Sequence, residues 1–79
     1  MKIKLKMSVE RLVNKINNLG HGVTINYEEG EIYFPMSHVE QTKDLGGYDV
    51  INIIVGGEIK LSIYYHYIRD YKNGIIYMN

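Results

Sequence analysis

Tyr48-Asp49-Val50-Ile51-Asn52-Ile53-Ile54-Val55-Gly56-Gly57-Glu58-Ile59-Lys60-Leu61-Ser62-Ile63-Tyr64-Tyr65-His66-Tyr67 decides how this chain folds. Two apolar and aromatic runs of period two flank a glycine pair, the pattern of one long β-hairpin. If Val55-Gly56-Gly57 is a three-residue turn with Gly57 left-handed, then Ile51, Ile53, Ile59, Leu61, Ile63, Tyr65 and Tyr67 share one apolar face. A two-residue Gly56-Gly57 turn pairs Ile54 with Ile59 and puts Asn52 on the face of Leu61, a poorer burial pattern. The three-residue turn is therefore favoured. It leaves Tyr48, Val50, Asn52, Ile54, Lys60, Ser62, Tyr64 and His66 on the opposite face.

Upstream, Lys2 to Lys6 alternates polar with apolar, an edge strand whose lysines discourage further pairing. Ser8 offers an N-cap, Glu10 sits in the positive first turn, and Val9, Leu12, Val13, Ile16 and Leu19 follow at helical spacing before Gly20. This predicts an amphipathic helix over 8–19, with Asn14, Lys15, Asn17 and Asn18 on its wet side. Val23, Ile25 and Tyr27 then alternate with polar residues, and Ile32 and Phe34 answer them. A turn at Glu29-Gly30 or over Glu28 to Glu31 puts all five on one face, and Pro35 ends the second strand.

Ser37-His38-Val39-Glu40 has the spacing of a capping box and Leu45-Gly46-Gly47 reads as a helix exit, which predicts a short second helix over 37–45. Only Val39 and Leu45 are clearly apolar there, and an acidic loop is the alternative. Asn73-Gly74 marks a last tight turn into Ile75 to Met78. The expected architecture is a single α+β domain over 1–79: an antiparallel sheet of four to five strands with the first helix on one face.

With 79 residues and no cysteine, the chain has a small core and neither disulfides nor thiolate–metal links to supplement it. No secretory signal and no run of roughly 20 apolar residues is visible, so a soluble cytoplasmic protein without membrane contact is expected. Nine Lys and Arg balance nine Asp and Glu, which argues against a dedicated nucleic-acid binder. The charge is uneven, with a basic start and an acidic middle from Glu28 to Asp49; two solvated faces are the plain reading. Ala, Trp and Cys are absent while Ile, Lys, Asn and Tyr abound, a usage that fits low-GC coding in a bacterium or one of its mobile elements.

His21, His38 and His66 match no metal-ligand spacing, and no metal or cofactor is expected. Ser8 and Ser37 read as helix caps, Ser62 lies mid-strand with no neighbouring base, and no phosphate loop is present. Tyr64, His66 and Arg69 form the best combination for a small metal-independent nuclease, and Tyr48, Tyr64 and His66 on one sheet face suit stacking of single-stranded bases. The favoured expectation is a non-enzymatic protein-interaction module, an inhibitor from a phage or mobile element that binds a host defence or nucleic-acid-processing protein. Its expected contacts are Tyr48, Val50, Ile54, Tyr64 and His66 on the hairpin's outer face, and Glu28, Glu29 and Glu31 in the acidic turn. A second copy of the chain, giving a homodimer through the sheet face, is the other partner this pattern suggests.

Overall fold

The computed structural model describes residues 5–79. The Ser8 Oγ accepts the Arg11 N–H at 3.2 Å and starts α1 (Val9–Leu19), which Gly20 ends. Val9, Leu12 and Ile16 form its buried stripe, as their spacing requires. The expected edge strand over Lys2 to Lys6 falls outside the described residues except for Leu5, which packs against the core, and Lys6.

Strands β1 (Val23–Tyr27) and β2 (Gly30–Phe34) form the first hairpin. Ile25 faces Ile32 and Val23 faces Phe34, so the turn is Glu28-Glu29, one residue ahead of the expected position. The pairing is displaced by two residues, which preserves parity, so the same five apolar residues still share a face. After Pro35 and Met36 come β3 (Ser37–Lys43), β4 (Asp49–Val55), β5 (Glu58–Tyr64), a single 3-10 turn (Tyr65–Tyr67), β6 (Ile68–Lys72) and β7 (Ile75–Met78). The class is α+β, as expected. Among the described residues the strands number seven and form two sheets, a four-stranded one in the order β2-β1-β7-β6 and a three-stranded one in the order β3-β4-β5. All neighbours are antiparallel except β1 and β7, which run parallel and join the first hairpin to the last.

The predicted helix over 37–45 is instead strand β3, paired with β4 from Ser37↔Val55 to Lys43↔Asp49. β4 is buried at Ile51, Ile53 and Ile54 and needs backbone partners on both edges, a tertiary demand that outweighs a capping signal. The Ser37 hydroxyl joins the two sheets rather than capping a helix. It accepts the Val23 N–H at 2.9 Å and donates to the Phe34 carbonyl at 2.5 Å. Glu40 likewise caps nothing; its Oε2 lies 3.1 Å from His38 Nε2 on the strand surface.

The long hairpin also differs from expectation at its turn. Gly56 (φ 60°) and Gly57 (φ 81°) form a two-residue turn between Val55 and Glu58, and Ile54 faces Ile59. A bulge then shifts the register, so that Ile53 faces Leu61 and Ile51 faces Ile63. One extra residue on β5 restores the apolar face that the turn alone would have spoiled. Ile51, Ile53 and Ile63 are buried and Leu61 packs on them, whereas Ile59 is left 59% exposed. Tyr67 is exposed as well, because the strand gives way to a 3-10 turn after Tyr64 and period two no longer applies.

Buried residues of α1, β1, β3, β4, β5, β6 and β7 make one continuous core, centred on Leu12, Ile25, Ile51, Ile53, Ile68 and Ile76. Among the described residues no helix is long and apolar enough to cross a membrane. Asn17, expected on the wet side of α1, is fixed to the edge of β3. Its Nδ2 donates to the Val39 carbonyl at 2.9 Å, and its Oδ1 accepts the Val39 N–H at 2.8 Å. Asn17→Ala is expected to lower stability by about 1–2 kcal/mol in urea unfolding, and Asn17→Asp, which sets a carboxylate oxygen against the Val39 carbonyl in place of the donor, by at least as much.

Candidate partner-binding site

The site begins with the turn between β3 and β4. Asp44 and Tyr48 close it, the Asp44 N–H donating to the Tyr48 carbonyl at 3.0 Å and the Gly47 N–H to the Asp44 carbonyl at 3.0 Å. Gly47 is left-handed (φ 83°), as a three-residue hairpin loop requires. Asp44 braces the loop from inside, its Oδ1 accepting the Gly46 N–H at 2.9 Å and the Tyr48 N–H at 3.0 Å. Leu45, at the tip, is fully exposed.

From the end of β5 the Tyr64 hydroxyl donates to Asp44 Oδ2 at 2.9 Å, tying the loop to the neighbouring strand. The 3-10 turn that follows is held at two points. The Tyr65 hydroxyl donates to the Met7 carbonyl, and the Tyr67 carbonyl accepts the Asn79 N–H at 2.8 Å. His66 is thereby packed among three tyrosines, with ring centroids 5.3 Å from Tyr48, 5.2 Å from Tyr64 and 4.4 Å from Tyr67. Tyr64 meets Tyr67 edge to face at 5.9 Å. Asp44, Tyr48, Tyr64, His66 and Tyr67 line a shallow depression of about 480 Å³ at the end of the three-stranded sheet away from the Gly56-Gly57 turn.

The Tyr48 N–H does most to hold the Asp44 carboxyl below the usual aspartate range; partial burial opposes this, and the Tyr64 hydroxyl and the amides of Gly46 and Gly47 add to it. The same contact raises the Tyr64 phenol, whose hydrogen bond to Asp44 and proximity to that charge disfavour the phenolate. Lys43, the nearest cation in sequence, bonds Asp49 Oδ1 at 3.0 Å, and among the described residues no Lys or Arg forms an ion pair with Asp44.

Of the residues expected to bind a partner, the structure gathers Tyr48, Tyr64 and His66. Val50, the cross-strand partner of Tyr64, is half-buried beside it. Ile54 is not available. Set between its cross-strand partners His38 and Ile59, it is only 7% exposed. Glu28, Glu29 and Glu31 are exposed on the β1–β2 hairpin, on the other sheet, so the acidic turn is not part of the aromatic cluster. Arg69 does not join His66 in lining the depression; its guanidinium lies 5.7 Å from the Tyr77 ring centre. The Ser62 hydroxyl donates to Asn52 at 2.6 Å, and no three His, Asp or Glu among the described residues converge as metal ligands would. Sequence reasoning missed Asp44, Leu45 and Tyr67. The first two were legible as an Asp-x-Gly-Gly turn, had the segment been read as a hairpin.

No family model, curated protein or solved structure matches the chain.

The coupling of Asp44 and Tyr64 has a pH signature. Because the folded Asp44 carboxyl titrates below its unfolded value, the loop's stabilisation is complete above about pH 4 and is lost as pH falls through the lower folded value. Asp44→Asn removes the charge that raises Tyr64, so the Tyr64 titration, followed by ring NMR, is expected to fall toward about 10. An unchanged Tyr64 titration would exclude the coupling.

Proposed function

We propose that this chain is a small protein-interaction module without catalytic activity, which grips a partner protein with the Asp44–Tyr48 loop and the rings of Tyr64, His66 and Tyr67. The observation that carries this reading is the aromatic cluster itself: Tyr48, Tyr64 and Tyr67 remain 59%, 38% and 41% exposed while packed around one histidine. Leu45 stands fully exposed at the tip of the loop. Tyrosine and apolar anchors gathered at one spot are the composition of interface hot spots, since they carry large contact area with little side-chain entropy to lose.

Stacking of nucleic-acid bases would use the same rings, but the ionised Asp44 among them repels phosphate, and Lys43 is engaged by Asp49. The partner favoured by this charge is a basic protein, which agrees with the acidic turn Glu28 to Glu31 elsewhere on the surface. The low-GC residue usage fits an accessory protein of a phage or mobile element that covers the nucleic-acid-binding surface of a host protein.

Affinity capture from an extract of the encoding organism tests this. The wild-type chain is expected to retain a stoichiometric protein that the Tyr48→Ala/Tyr64→Ala double variant loses at least tenfold and that Lys60→Ala retains. Equal capture by all three would contradict the assigned surface.

A further inference from the structure

Three neutral donors reach the Asp44 carboxylate: the amides of Gly46 and Tyr48, and the Tyr64 hydroxyl. A carboxylate offers about four acceptor positions, and Oδ2, which lines the depression side with Tyr64, carries the Tyr64 hydroxyl alone among these three contacts. Its charge is not met by a cation of this chain among the described residues, and it is ringed by Tyr48, Tyr64, His66 and Tyr67. We propose that the depression is a receptor for one arginine side chain of the partner protein, with the guanidinium laid on the tyrosine rings and hydrogen-bonded to Asp44. This rests on the reading of the aromatic cluster as the partner-contact surface and supplies the chemistry of its occupant.

Three considerations select that occupant. A cation over a tyrosine face is attracted by the ring quadrupole, and a carboxylate beside the ring adds charge attraction at the same point. The guanidinium is planar and weakly hydrated, so it can stack and donate to Asp44 together, whereas an ammonium holds its water and meets the carboxylate as a point charge. The depression is shallow and open, a shape that suits the end of one long side chain better than a small molecule needing enclosure on most sides. Phosphate is excluded by charge, and a neutral base would leave the carboxylate without its counter-charge.

The test is a ring-proton NMR titration of the full chain with N-acetyl-glycyl-arginyl-glycine amide, its citrulline analogue, its lysine analogue and oligothymidylate. The arginine peptide is expected to shift the Tyr48, Tyr64 and Tyr67 resonances saturably, with Kd on the order of 10 mM for a single exposed side chain. Citrulline, which keeps the shape but not the charge, is expected to bind at least tenfold more weakly, and lysine severalfold more weakly. Asp44→Asn retains an oxygen for the Gly46 and Tyr48 amides and so keeps the loop; it is expected to weaken arginine at least fivefold. Tyr48→Leu, which removes one ring without touching the carboxylate, is expected to weaken it also. Equal binding of arginine and citrulline, unchanged binding by Asp44→Asn, or tighter ring shifts with oligothymidylate would each overturn the assignment. If arginine recognition fails in these ways while the Tyr48→Ala/Tyr64→Ala variant still loses a captured protein, the contact surface stands and only the cation anchor falls.

Discussion

Strand β4 is the constraint on which the other elements depend. Ile51 and Ile53 are wholly buried on one face and Ile54 is nearly so on the other, which leaves no edge of the strand free to meet water. Its peptide groups must be paired on both sides. β5 supplies one side through the tight Gly56-Gly57 turn, and residues 37–43 supply the other although their local sequence offers a helix cap. The edge problem then moves outward to β3, whose own outer groups face away from β4. Asn17 answers it at Val39 by presenting an amide where a further strand would present a peptide. Helix docking and edge protection are thus one interaction.

Pairing 37–43 with β4 also creates the candidate site. A strand must reverse direction before β4, and it does so within Asp44 to Tyr48, where the Asp44 side chain accepts two amides of its own loop. With one oxygen committed to the turn, the other reaches Tyr64 across the sheet end. The donors that stabilise the loop also keep the carboxylate ionised, so a structural device leaves a charge among the rings. The 3-10 turn after β5 completes the arrangement by swinging His66 and Tyr67 out of the strand alternation and onto the same depression.

Elements whose local signal and tertiary role agree were legible in the sequence. Ser8, the apolar stripe and Gly20 announced α1; Asn73-Gly74 announced the β6–β7 turn, which lies between Lys72 and Ile75. In the long hairpin, face consistency identified Ile51, Ile53, Leu61 and Ile63 correctly but inferred the wrong turn, because a β-bulge corrects parity just as a longer turn would. The strand at 37–43 was hidden, since its case rests on what β4 lacks and not on residues 37–43 themselves. Tyr48, Tyr64 and His66 were grouped by alternation on one face, although the 3-10 turn and not the strand brings His66 there; the places of Asp44, Leu45 and Tyr67 needed the β3–β4 turn and the 3-10 turn to be seen. Ile54 lies on the outer face, as its alternation with Ile51 and Ile53 requires, but is buried between His38 and Ile59, and it is Ile59 that the bulge moves off the apolar face.

The surface reading requires that Leu45, at the exposed tip of the Asp44–Tyr48 loop, touch the partner inside the cell. A photo-activatable phenylalanine derivative at position 45, with the same replacement at Lys60 near the far turn as a control, measures this directly. A single covalent adduct with a second protein, formed from position 45 and not from position 60, is the expected result. Equal adducts from both positions, or adducts from position 60 alone, would contradict the assignment of the Asp44–Tyr48 loop as the contact.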